Sequence, residues 1–120
     1  MKLYNKNIGN YGEDIATSYL LSKKHKILSR NFKSKKGEVD IISLINKTLI
    51  FTEVKSRYNY NFGAPLESVS FSKINRIKSA ASYYIYKNRL FNINVRFDII
   101  EIYFNYYNNE YKINHIENVI

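Results

Sequence analysis

The chain has 120 residues, 45% of them hydrophobic and none cysteine, and its 19 basic and 10 acidic residues leave a net charge of +9. That length suits one domain with one substantial core, spanning 1–120. The lack of cysteine excludes disulfides, cysteine-ligated zinc and a thiol nucleophile, and no apolar run approaches the roughly 18 residues of a membrane span.

In chain order, Ile8, Tyr11, Ile15, Tyr19 and Leu20 recur at helical spacing and predict a first helix over about 7–24. The start of the chain, Met1-Lys2-Leu3-Tyr4, carries charge but no following apolar segment, so no signal peptide and a cytoplasmic location are expected. Residues 26–32 read as a first strand, and 39–44 and 48–55 as a second and third, joined by a turn at Asn46-Lys47. A loop over 56–69 holds Gly63 and Pro65. Ser70 or Ser72 then caps a second helix carried by Ile74, Ile77, Ala81, Tyr84 and Ile85 to about Asn88. A fourth strand is predicted over 94–104, a polar turn over 105–109 and a last strand over 111–119. The order α-β-β-β-α-β-β describes an α/β fold, a mixed sheet with helices packed on it. No glycine-rich phosphate loop is present, and the doubly wound nucleotide-binding fold is set aside.

The chemistry concentrates in the hairpin of Gly37-Glu38-Val39-Asp40 and Phe51-Thr52-Glu53-Val54-Lys55. With Asn46-Lys47 as a two-residue loop, Asp40 falls opposite Glu53 and Glu38 opposite Lys55, all on one face. Two carboxylates opposed at roughly 5 Å repel unless a positive group lies between them. A divalent cation, magnesium or manganese, suits such hard oxygen ligands. Lys55 would then serve a phosphate beside it, which is the donor set of metal-assisted phosphodiester cleavage. The bland alternative is a solvated sheet face with Glu38 and Lys55 as a surface ion pair. Glu13 in the first helix could lean toward the same site, or simply suit the helix dipole.

The run Lys23, Lys24, Lys26, Arg30, Lys33, Lys35 and Lys36 contains no acid and ends just before Glu38. It reads as a phosphate-binding rim or as a lysine-blunted edge. Lys73 and Arg76, three apart, can face one phosphate, and Arg57, Tyr58 and Phe62 follow Lys55 closely enough to meet a substrate. Nucleic acid is the expected partner of the basic excess, ahead of a membrane. His25 and His115 have no paired spacing, which argues against a histidine metal site or a serine triad.

Glu13, Asp40 and Glu53-Val54-Lys55, on helix, strand and strand, resemble the PD-(D/E)XK nuclease superfamily. The chain is more closely similar to the YraN-like family of small bacterial proteins. The shared stretches are Gly12-Glu13-Asp14-Ile15-Ala16, Arg30-Asn31-Phe32, Gly37-Glu38-Val39-Asp40-Ile41-Ile42, Phe51-Thr52-Glu53-Val54-Lys55-Ser56-Arg57, Phe62-Gly63-Ala64-Pro65 and Arg96-Phe97-Asp98. Val39 stands where the motif's name has proline. The resemblance implies a restriction-endonuclease-like fold, related to archaeal Holliday-junction resolvases. It implies Asp40, Glu53 and the Val54 carbonyl as magnesium ligands, Lys55 as the catalytic lysine and Glu13 as the helix acid, a further candidate ligand.

The expectation is therefore a magnesium- or manganese-dependent endonuclease acting on DNA, ahead of RNA, including branched or single-stranded forms. Its substrate contacts would be Lys33, Lys35, Lys36, Arg57, Lys73 and Arg76. A homodimer would offer one site for each of two strands. The competing expectation is a binding module that keeps the nuclease fold without catalysis.

Overall fold

The computed structural model describes residues 5–58, 71–105 and 107–120, with side chains described from Asn10 onward. The elements follow the predicted order: α1 (Asn5–Ser22), β1 (Lys26–Ser34), β2 (Gly37–Ile45), β3 (Thr48–Tyr58), α2 (Phe71–Lys87), β4 (Asn94–Phe104) and β5 (Tyr111–Ile116). The strands form one sheet in that same order, with β3 in the middle. All neighbours are antiparallel except β3 and β4, which α2 joins as a parallel crossover. The expected α/β architecture is thus present.

Alternation along the strands divides the core in two. Ile15, Ala16 and Leu20 of α1 pack on Ile41, Ile100, Ile102 and Phe104, with Val54 and Tyr58 beside them. On the other face Ile77, Ala80 and Ala81 of α2 pack on Val39, Ile42, Leu49 and Phe51. Two glycines set how closely the helices approach. A Cβ on Gly12 would overlap the Ser56 side chain, and one on Gly37 would overlap the Arg76 carbonyl. Both helices end in the same way. Lys24 and Arg89 take φ of 72° and 55°, and the following amides reach back five residues, His25 to Leu20 and Leu90 to Ile85, each at 3.0 Å.

The predicted hairpin register holds from Ile45–Thr48 through Ile41–Thr52, with Asn46 at φ 53° in the turn. It does not continue to the expected pairs Asp40–Glu53 and Glu38–Lys55. On its other edge Glu38 pairs with Lys33 of β1. The reason lies one strand over. Asn31 takes φ 54° within β1, and the paired strands turn over there. Arg30 and Ile41 serve the α1 side, whereas the next pair, Phe32 and Val39, serves the α2 side. Asp40 stands at that inversion.

Several other expectations change. β3 runs on through Ser56, Arg57 and Tyr58, which were expected to begin the loop, and β5 stops at Ile116. Ser72 lies inside α2 and does not cap it. The loop containing Phe62, Gly63 and Pro65, and the cap at Ser70, lie outside the described residues, as does the Ile8 side chain.

Candidate active site

Where the β2–β3 ladder ends, the Asp40 side chain takes over from the backbone. Its Oδ2 accepts a 2.8 Å hydrogen bond from the Val54 amide. The Glu53 carboxyl lies close enough for its charge to act on Asp40. Burial first, and the Glu53 charge second, push Asp40 up to about 7, against the pull of the Val54 amide and Lys73. Glu53 is buried at 8% exposure, and its Oε2 meets Lys73 Nζ at 3.2 Å. One α2 lysine thus stands against two carboxyl groups. Glu53 also borders a largely apolar cavity of about 190 Å³, walled by Phe51, Ile74, Ile77, Phe97 and Ile99.

Glu13 approaches from α1, near enough to feel the Asp40 charge. Its carboxyl is raised by burial and then by Asp40, and is drawn back by Asn31 and Arg30. Arg30 Nη2 lies 3.7 Å from Glu13 and 2.9 Å from Asp14. Arg30, expected in the phosphate rim, therefore clamps the first helix to β1. Asp14 shares that clamp.

Among the described residues, no three acids or histidines stand close enough together to hold a metal ion. The close pair is Asp40 and Glu53. Two carboxylates with little positive compensation fit magnesium, which is commonly held by one or two carboxylates and keeps several waters. The chemistry of the donor set thus fits that ion through Asp40, Glu53 and the Val54 carbonyl, with Glu13 set back behind its own cation.

Lys55 is half-buried, two residues beyond Glu53, and the parallel register sets it abreast of Glu101. Glu101 is fully buried; its Oε1 accepts a 2.9 Å bond from Asn114, and no partner for Oε2 is found among the described residues. The Arg57 guanidinium lies over the Tyr103 ring at 6.0 Å. Lys33, Lys35 and Lys36 are exposed along a separate groove, and Arg76 is exposed on α2. Of the six expected substrate-binding cations, only Lys73 stands against the acid pair in an ion pair, and it does so through Glu53.

Sequence reasoning missed a second polar cluster. Asp98 accepts from Arg96 Nε and Nη2 at 2.9 Å, from His115 Nε2 at 2.8 Å and from the Asn118 amide at 3.0 Å. With Nε2 donating to Asp98, His115 Nδ1 receives the Tyr19 hydroxyl at 3.1 Å. Burial alone would push Asp98 up, but His115, Arg96 and the Asn118 amide outweigh it and hold the carboxyl at about 2. The cluster ties β4, the C-terminal segment and α1 together. The Arg96-Phe97-Asp98 motif was its only sequence signal.

The profile described as "Uncharacterised protein family UPF0102" matches residues 12–102. The chain is 55% identical over 115 residues to a UPF0102 protein of Clostridium novyi (strain NT), covering 96% of each chain. It is 53% identical over 117 residues to one of Clostridium botulinum (strain Alaska E43 / Type E3), covering 98% of this chain and 96% of the relative. A UPF0102 protein of Clostridioides difficile (strain 630) is 53% identical over 114 residues, covering 95% of this chain and 96% of the relative. The chain belongs to the UPF0102 family, the YraN-like family of the resemblance. Among the described residues, no helix is long and apolar enough to cross a membrane.

Proposed function

We propose that this protein is a divalent-metal-dependent endonuclease of the PD-(D/E)XK type, hydrolysing phosphodiester bonds of nucleic acid, DNA ahead of RNA. The observation that carries this reading is the approach of two carboxyl groups, half-buried Asp40 and buried Glu53, where the Val54 amide holds Asp40 and Lys55 follows two residues beyond Glu53. Asp40, Glu53 and the Val54 carbonyl would hold magnesium or manganese, with Glu13 as an outer acid. When bound, the ion would supply Lewis-acid polarisation of the phosphate and a more acidic water. Lys55 orients the attacking water and offsets charge gathering on the phosphoryl oxygens. Water oxygen bonds to phosphorus as the P–O3′ bond breaks, leaving a 5′-phosphate and a 3′-hydroxyl. The basic excess of the chain supports a polyanionic substrate.

The test is cleavage of labelled duplex, single strand, flap, four-way junction and RNA, each with Mg²⁺, Mn²⁺ or EDTA. Wild type should cut at least one of them only with metal. Asp40→Asn and Lys55→Ala should each lose about 100-fold or more, the scale of removing one charge-stabilising group. Binding without cutting under any metal would favour the non-catalytic binding module.

A further inference from the structure

Apart from the acid pair, the β1–β2 turn and α2 enclose an open groove of about 650 Å³, lined by Lys33, Ser34, Lys35, Lys36, Ser79 and Tyr83. Gly37 lets the turn abut the α2 backbone at Arg76, which brings the lysines against the helix. Ser79 and Tyr83, four apart, share the facing side of α2. Tyr83 is 47% exposed although large and aromatic. Its ring stacks on Phe32 with centroids 6.1 Å apart and planes at 27°. Phe32 is itself braced edge-on by Tyr84 at 5.1 Å. The Tyr83 ring is thus supported from beneath and still presents aromatic surface to solvent.

No acid lines this groove among the described residues. Glu38 lies opposite Lys33 in the ladder, which leaves Lys35 and Lys36 as its least compensated cations. A supported aromatic ring beside lysines fits a strand whose bases are unpaired, with one base on the ring and its phosphates on the cations. A duplex buries its base faces in its own stack and gains nothing from the ring. We propose that this groove binds a single-stranded nucleic-acid segment, with an unpaired base on Tyr83 and flanking phosphates at Lys35 and Lys36. Along α2, Tyr83 is about 15 Å from Lys73, which touches Glu53. The groove would therefore hold a single-stranded arm roughly three turns of α2 away from the lysine that meets Glu53. This rests on the nucleic-acid partner of the reading above and not on its catalysis.

The experiment is fluorescence anisotropy in EDTA. The ligands are a single strand of about 12 nucleotides, an abasic strand of equal charge, and a duplex. Wild type should prefer the base-bearing strand to the abasic one. Tyr83→Ala should lose about tenfold on the base-bearing strand and little on the others, while Tyr83→Phe keeps the affinity. Lys35→Gln with Lys36→Gln should weaken all three and flatten the salt dependence. Equal binding of abasic and base-bearing strands, or unchanged binding by Tyr83→Ala, would overturn the proposal and leave only a charged surface. With cleavage excluded by EDTA, either result is independent of whether the acid pair is catalytic.

Discussion

Asp40 is positioned by what the backbone leaves undone. The ladder stops at Ile41–Thr52, and the carboxylate receives the Val54 amide in place of a strand partner. That anchoring brings Asp40 against Glu53 at a cost in stability. Asp40 ionises near pH 7 in the fold and near 3.8 without it, so the folded state binds the proton more tightly. Its contribution is complete below pH 3.8 and lost as pH rises through 7. Asp40→Asn keeps an acceptor for Val54 and removes the repulsion. It should raise thermal stability by about 1–3 kcal/mol at pH 8 and by little at pH 4, as followed by denaturation across that range. Asp98 behaves in the opposite sense. Its carboxyl is held at about 2, so its contribution is present above pH 3.8 and lost as pH falls through 2. Asp98→Ala leaves Arg96 and His115 without their shared acceptor and should cost about 3–5 kcal/mol in urea unfolding at pH 7.

Each helix is placed by a glycine contact and finished by a strained residue. Gly37→Ala would push the β1–β2 turn away from Arg76 and should destabilise the fold by about 1–3 kcal/mol, since backbone carbonyl cannot yield as a side chain can. The helix ends offer the reverse. Lys24 and Arg89 hold left-handed φ without being glycine. Lys24→Gly or Arg89→Gly should each raise stability by ~0.5–1 kcal/mol, measurable as a shift in the unfolding midpoint. The elements were legible because strand alternation and helical spacing are local, and the hairpin register followed from its two-residue turn. The inversion at Asn31 was not legible. A left-handed asparagine inside a strand leaves the apolar pattern readable on both sides while exchanging their faces. For that reason the register could be read from the turn as far as Ile41–Thr52, and not on to Asp40–Glu53 or Glu38–Lys55. Lys73 could be recognised as a cation but not as the partner of Glu53, because the direction of approach of α2 depends on the non-local contact of Gly37 with Arg76.

Across the whole molecule, the strand order places three kinds of surface around one sheet. The acid pair sits at the end of the β2–β3 ladder, the lysine groove lies between the β1–β2 turn and α2, and the Asp98 cluster fastens β4 and the C-terminal segment to α1. Only the first two bear on the proposed chemistry; the third explains a motif as structure. A chain of net charge +9 that meets phosphates should bind them with an affinity falling steeply as salt rises, linearly on logarithmic axes. We propose above all that Asp40 and Glu53 together form a divalent-cation site. Calorimetric titration of wild type, Asp40→Asn and Glu53→Gln with Mn²⁺ tests it most directly. A saturable site is expected in wild type and should be lost or much weakened in both variants. Absence of binding in the wild type, or equal binding by all three proteins, would contradict it.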